Sequence, residues 1–232
     1  MIHLVLLTGG TGSRMKTEVP KQFLMLRGLP VLEHSVRSFS QLDESVRGGL
    51  VLVSHSDFLA QAEEICEKYR ANLSFLKIVT GGSTRHASSK NGLVALQSEI
   101  NDDDLVLIHD GARPLVSAEE MIALSEKLQD QSDVHCATLA AMATETFAVA
   151  ESAEGEIQSV PDRNTLFAIK TPQALRASVI KQFLASRHDH YTDLISWCLD
   201  EKLRAVMAPA SERNIKLTHS GDLVILESLL DR

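Results

Sequence analysis

The sequence predicts an α/β protein built on a mostly parallel, doubly wound sheet, and three features carry that expectation. Continuous apolar runs at residues 4–7, 50–53 and 105–108 have strand length and no polar alternation, as expected of strands buried on both faces. Segments with one apolar face lie between them, so strands alternate with helices, the pattern of right-handed βαβ units. Two strands end in glycine-rich turns that open a helix, at the carboxyl ends where such sheets bind ligands. A chain of 232 residues suits a single domain, 1–232, with a large core.

The first strand, Leu4-Val5-Leu6-Leu7, breaks into Thr8-Gly9-Gly10-Thr11-Gly12-Ser13-Arg14-Met15 and reaches Pro20-Lys21. Three glycines in four positions allow positive φ angles and bring backbone N–H groups close to an anion, while Arg14 and Lys21 supply full charges. The expectation is a phosphate cradle, weighed against a plain turn with solvated cations. Spacing excludes two familiar phosphate motifs: both Gly-x-Gly-x-x-Gly and the Walker A pattern require glycine where Met15 stands.

Gly28-Leu29-Pro30 marks a turn, and apolar residues at 32, 36 and 39 place one helical face over residues 31–39. The strand at 50–53 ends in Ser54-His55-Ser56-Asp57, and an amphipathic helix covers about 58–69. A third strand, 76–80, runs into Gly81-Gly82-Ser83-Thr84-Arg85 and a helix through Val94, repeating the strand, glycine turn and helix unit. The strand at 105–108 closes in His109-Asp110-Gly111-Ala112-Arg113-Pro114, which brings Asp110 and Arg113 beside the first loop. A carboxylate there can help hold magnesium or orient a hydroxyl, and an arginine can fork a phosphate; a salt bridge closing the turn is the alternative.

Ser117 caps a helix through Leu128, and a fifth strand covers 134–142. The alternation then stops: residues 144–150 and 156–160 flank Glu151-Ser152-Ala153-Glu154-Gly155 and read as a β-hairpin, whose edges a second copy could cover. A strand at 166–170, helices at 176–186 and 193–201, a short strand at 205–208 and a closing helix from Ser220 or Asp222 complete the chain. Leu223, Leu226 and Leu230 form the buried stripe of that last helix.

Composition bounds the partners. A net charge of −8 argues against general affinity for nucleic acid or anionic membrane, so cations beside a glycine loop point to a local pocket for a small anion. Three widely spaced cysteines, Cys66, Cys136 and Cys198, form no disulfide framework or zinc pattern. No apolar run approaches the ~20 residues of a membrane span, and no leader precedes the first strand, so the expected location is the cytoplasm.

Taken together, Gly9-Gly10-x-Gly12-x-Arg14-Met15 with Pro20-Lys21-Gln22-Phe23-Leu24, Gly81-Gly82-x-x-Arg85-x-x-Ser88, His109-Asp110-x-Ala112-Arg113-Pro114, Asp162-Arg163, Thr171-Pro172-Gln173, Thr192-Asp193 and Asn214-Ile215-Lys216-Leu217-Thr218 span nearly the whole chain. This ordered set resembles the 2-C-methyl-D-erythritol 4-phosphate cytidylyltransferase family of the non-mevalonate isoprenoid pathway. Ribitol-5-phosphate cytidylyltransferase is a near relative. The resemblance implies a Rossmann-like nucleotidyltransferase sheet and a homodimer formed through an inserted β-arm, residues 143–163. It implies CTP on the loop of Thr8, Gly9, Gly10 and Gly12, with Gly82, Ser83 and Ser88 near base and ribose, and with Asp110 and the cations Arg14, Lys21 and Lys216 at the phosphates. Asp110, Arg113, Thr171 and Lys216 would meet the polyol phosphate, with Thr146 and Arg163 reaching in from the partner subunit. Mg2+ is the implied cofactor, Asp110 its candidate ligand, and Arg14, Lys21 and Lys216 the implied catalytic cations.

Several positions depart from the family pattern. Thr8-Gly9-Gly10 stands where Ala-Ala-Gly is usual, Ser83 replaces a frequent acidic residue, Leu194 follows Thr192-Asp193, and Met142-Ala143-Thr144-Glu145-Thr146 replaces a Pro- and Arg/Lys-containing stretch. The last two fall on the acceptor side, so ribitol 5-phosphate is the principal rival acceptor. A P-loop kinase, disfavoured by Met15, and a non-catalytic binding protein on the same fold are rivals of other classes.

Overall fold

The computed structural model describes residues 1–10, 19–186 and 191–231. Strand β1 (Ile2–Thr8) leads, and β2 (Met25–Leu26) and β3 (Leu29–Pro30) pair as a short antiparallel ribbon. Then follow β4 (Arg47–Ser54), β5 (Leu76–Thr80), β6 (Leu105–Asp110), β7 (Cys136–Met142), β8 (Phe167–Arg176) and β9 (Ala205–Pro209). Seven strands form one sheet in the order β5-β4-β1-β6-β8-β7-β9. Pairings β5 with β4, β4 with β1, β1 with β6 and β7 with β9 are parallel, while β8 runs antiparallel to both of its neighbours. The expected mostly parallel wound sheet is therefore present.

The α-helices among the described residues are α1 (Val31–Ser40), α2 (Leu59–Glu67), α3 (Arg85–Leu96), α4 (Ala118–Gln129), α5 (Ile180–Ala185), α6 (Leu194–Asp200) and α7 (Gly221–Leu230), with short 3₁₀ turns between elements. Because side chains alternate along a strand, each continuous apolar run feeds two cores. Leu4, Leu6, Leu50, Leu52, Leu105 and Leu107 pack with α1, α2 and α4 on one face. Val5, Val51, Val53, Val106 and Ile108 pack with α3, α5 and α6 on the other. A smaller cluster, Leu26, Val31, Ala112, Leu217 and Leu226, docks α7 and residue 217 against the β2–β3 ribbon. Among the described residues no helix is long and apolar enough to cross a membrane.

From β1 the chain steps through β4 to β5 on one side, and then returns to place β6 on the other side of β1. The carboxyl ends of β1 and β6 are thus the topological switch point, where wound sheets open a crevice.

Two expectations need correction. The hairpin read over 144–150 and 156–160 reduces to a single bridge, Val149 to Ser159. The hairpin that does form is β7–β8 itself, with Met142 opposite Phe167, and the segment from Ala143 onward is its long exposed end. An isolated two-stranded ribbon with no covered face has little to hold its ladder. The helix expected from Arg176 also starts later, at Ile180. Arg176 is instead the last residue of β8, held there because its side chain donates to Val134 O (2.8 Å), Gln131 O (3.0 Å) and Leu128 O.

Candidate active site

At the switch point lies a cavity of about 570 Å³, lined from β1, the turn into α3, the end of β6, the turn at Lys21 and residues 216 and 218. The first loop is shaped by polar anchors. Thr8 Oγ1 donates to Val53 O (2.9 Å), and the buried amide of Gln22 donates to Thr8 O and to Gly10 O (3.1 Å). Neither Gly9 nor Gly10 takes the left-handed backbone expected of them. Their service is space: a Cβ on Gly10 would meet nothing within 4 Å, and one on Gly9 only Ser88 Oγ at 3.9 Å, so the absent side chains leave room for a ligand.

The second wall is the amino end of α3. Thr84 caps it, Oγ1 accepting from Ala87 N at 3.0 Å, and Ser88 Oγ accepts from Gly82 N (3.1 Å) while donating to Thr84 O (2.9 Å). Gly82 is required here because a Cβ would stand 2.5 Å from Ala87 Cβ. The positive end of a twelve-residue helix therefore opens on the cavity, beside exposed Ser83.

The third wall carries the charges. Asp110 accepts from Arg85 Nε at 3.1 Å on one oxygen and from Lys216 Nζ at 2.7 Å on the other. Burial pushes this carboxyl up, but Arg85 and Lys216 outweigh it and hold it well below the usual carboxylate range, so Asp110 is ionised. Lys21 also lines the cavity; burial pushes nearby Asp222 up, but the bonds its carboxylate accepts from His219 N and Thr218 N hold it low, with a smaller contribution from the charge of Lys21. Three basic side chains, Arg85, Lys216 and Lys21, thus line a cavity with one carboxylate among its described residues, in a chain of net charge −8, an arrangement suited to a polyanion.

Behind Asp110, His109 is completely buried and Thr171 nearly so. Thr171 Oγ1 accepts from Asp110 N at 3.1 Å and lies 3.1 Å from His109 Nδ1, while His109 Nε2 lies 3.1 Å from Arg113 O. Burial pulls the imidazole down to about 4, more than Asp110 raises it, so the ring is neutral near pH 7. The ladder between β7 and β8 shifts register between Thr138 and Leu139, opposite residues 171 and 172. Pro172 has no N–H to give a ladder, and this irregularity turns Thr171 toward β6.

The structure gathers Thr8, Gly9, Gly10, Lys21, Gly82, Ser83, Ser88, Asp110 and Lys216 around one cavity. Gly12, Arg14 and Met15 lie outside the described residues. Thr171 stands behind the wall as a support for Asp110, and the Arg113 guanidinium, donating to Asn214 O at 3.1 Å, is not among the cavity-lining groups. Thr146 and Arg163 are exposed on the arm and take no part in the cavity within this chain. Sequence reasoning left Arg85, Gln22, His55, Thr84 and Thr218 out of the site. Arg85 and Gln22 sat inside the quoted motifs, and only their contacts distinguish them from surface residues.

Asp110 is the one carboxylate among the described cavity-lining residues, and no cluster of three metal-ligating side chains occurs among the described residues. Such a site fits magnesium only in the mode where one carboxylate shares the ion with substrate phosphates.

The chain matches the family model described as 2-C-methyl-D-erythritol 4-phosphate cytidylyltransferase over residues 2–232. The protein of that name from Leptospira interrogans is 39% identical over 227 residues, covering 97% of this chain and 91% of its own length. Its namesake from Thermosipho africanus is 35% identical over 230 residues, covering 97% and 96%. The crystal structure of 4-diphosphocytidyl-2C-methyl-D-erythritol synthase from Anaerococcus prevotii agrees with a TM-score of 0.80 over 100% of this chain and 98% of that one; at 24% identity it speaks for the fold alone. On the full-length family match and these relatives, the chain belongs to the 2-C-methyl-D-erythritol 4-phosphate cytidylyltransferase family.

Proposed function

We propose that this protein transfers CMP from CTP to the phosphate of 2-C-methyl-D-erythritol 4-phosphate, giving the CDP-alcohol and pyrophosphate for isoprenoid precursor synthesis. The observation that carries the reading is Asp110 fixed between Arg85 and Lys216 in a cavity that Lys21 also lines. A phosphate monoester is already a dianion near neutral pH, so its oxygen can attack the α-phosphorus of CTP in line without a general base. A bond forms from that oxygen to phosphorus, and the bond to the pyrophosphate oxygen breaks. The chain supplies positioning and charge neutralisation, as phosphoryl chemistry in general demands.

In this reading Lys21, Lys216 and Arg14 are the catalytic cations, and the glycine turns hold the nucleotide with Ser83 and Ser88. Asp110 orients Lys216 and Arg85 and would be the protein ligand to Mg2+, which would supply charge neutralisation at the phosphates. The acceptor lies toward Arg113, with Thr171 behind the wall supporting Asp110, and Thr146 and Arg163 arrive from a second copy. Support for that second copy comes from the arm: Phe147, Val149, Ile157 and Val160 are all exposed, and a groove of about 860 Å³ at its root is lined by Met142, Phe147, Phe167 and Met207. Apolar exposure of this kind supports an interface there. The three buried free thiols suit a reducing compartment, in keeping with a cytoplasmic enzyme.

The test is pyrophosphate release by purified protein with CTP and Mg2+, offering methylerythritol phosphate and ribitol 5-phosphate separately. Turnover with the first is expected. Turnover with ribitol phosphate alone would reassign the acceptor, and turnover with neither would overturn the reading.

A further inference from the structure

We infer that His109, which is fully buried and does not line the cavity, is a positioning residue whose two ring nitrogens hold the nucleotide-facing and acceptor-facing halves of the site in register. The inference rests on the functional reading above for which half serves which substrate; the hydrogen-bond geometry stands apart from it.

The direction of every bond follows from chemistry. Arg113 O can only accept, so at 3.1 Å the Nε2 of His109 must carry the proton and donate. Thr171 Oγ1 already accepts from Asp110 N and still has its own proton to place, and His109 Nδ1, 3.1 Å away, is the acceptor within reach, so Thr171 O–H donates to the Nδ1 lone pair. The same hydroxyl oxygen accepts from Asp110 N, also at 3.1 Å. The result is a one-way chain: Asp110 N–H to Thr171, Thr171 O–H to His109, His109 Nε2–H to Arg113 O. Asn214 closes it, with Nδ2 donating to Thr171 O and its own carbonyl accepting from Arg113 Nη1, each at 3.1 Å, two residues before Lys216.

An apolar side chain would fill this fully buried position without the desolvation a ring with two polar atoms incurs. What the imidazole adds is direction. Through Nδ1 it fixes Thr171 and the peptide of Asp110, hence the carboxylate that holds Arg85 and Lys216. Through Nε2 it fixes the turn that carries Arg113. A buried chain in which each donor has one acceptor is satisfied in a single arrangement, which is how polar networks specify geometry.

Two substitutions divide the nitrogens. In His109→Asn the amide oxygen stands near the Nδ1 position and still accepts from Thr171, but nothing reaches Arg113 O. In His109→Gln the amide nitrogen stands near Nε2 and still donates to Arg113 O, but the Thr171 hydroxyl loses its acceptor. Expected is a split: KM for the acceptor rises about tenfold in His109→Asn with KM for CTP little changed, and the CTP value rises about tenfold in His109→Gln with the acceptor value little changed. A role confined to folding would lower stability and active fraction in both variants and leave both KM values alone, which overturns the inference. Equal rises in both constants overturn it too. ¹⁵N NMR of the wild-type imidazole, which needs no turnover and no variant, must show the Nε2–H tautomer at pH 7; the other tautomer or an imidazolium overturns the geometry. An inactive wild type with the expected tautomer would sink the functional reading alone, and CTP affinity by calorimetry, weaker in His109→Gln than in His109→Asn, would then test the Nδ1 half.

Discussion

Lys21 opens a 3₁₀ turn, Lys21–Phe23, whose next residue, Gln22, is buried and bonded to the first loop. Its ammonium is therefore carried on a fixed base, and a fixed charge is worth most where charge develops during reaction. Lys21→Ala is expected to lower kcat on the order of 10²-fold, read in single-turnover experiments; a change confined to KM would make Lys21 a binding residue instead. Gly82 answers to space. A methyl group there would stand 2.5 Å from Ala87 Cβ, so Gly82→Ala must move the first turn of α3. Weaker CTP binding, by about tenfold, is the expected outcome by calorimetry; unchanged affinity would show that the turn does not touch the nucleotide.

Among the elements, α4 has the most complete local signal. Ser117 Oγ accepts from Glu120 N at 3.2 Å, and Glu120 reaches back to Ser117 N at 3.1 Å, a full capping box. Glu120 also accepts from Ser211 N at 2.7 Å, which ties the helix to the segment leading toward Lys216. Ser117→Ala should cost about 1 kcal/mol in urea denaturation and leave the KM for CTP unchanged. The arm is the opposite case, an element with apolar side chains and almost no ladder of its own. Ile157→Asp with Val160→Asp is expected to convert a dimer to a monomer in analytical ultracentrifugation, abolish acceptor turnover and preserve CTP affinity. A wild type that sediments as a monomer would remove the arm's proposed role.

For the whole molecule, the titrating groups set a window of stability. His109, drawn down to about 4 by burial, is joined by His3 and His34, both lowered mainly by burial. As pH falls below the ordinary histidine value of 6.5, the unfolded chain binds protons that the folded chain refuses, so stability declines; for His109 the decline continues to about pH 4. Asp110 is depressed, its cations outweighing its burial, so its contribution is present above 3.8 and is lost as pH falls further. At the alkaline end burial raises Cys66 and Tyr69 to about 12, so the unfolded chain loses protons first and stability falls as pH climbs past 9 to 10. Guanidinium midpoints should therefore be highest between about pH 7 and 9 and lower at pH 5.5. A midpoint that rises on acidification to 5.5 would contradict the neutral burial of these histidines.

The wound sheet was legible in the sequence because strands buried on both faces must be apolar throughout, and Val5, Val51 and Leu107 advertise that in one dimension. The glycine turns and Lys21 were read from local pattern, bare backbone and charge at fixed offsets, whereas Lys216 entered through the family resemblance and Arg85 was left out of the site. Tertiary structure alone decided which charges meet. Arg85 and Lys216 come from distant parts of the chain, and their shared carboxylate turns them from solvated cations into a cluster. It decided also that β8 runs against the sheet, that the arm keeps a single bridge, and that His109 and Thr171 stand behind the wall. Periodicity records which faces a segment buries, whereas pairing, register and the direction of a buried hydrogen bond depend on a partner far away in sequence.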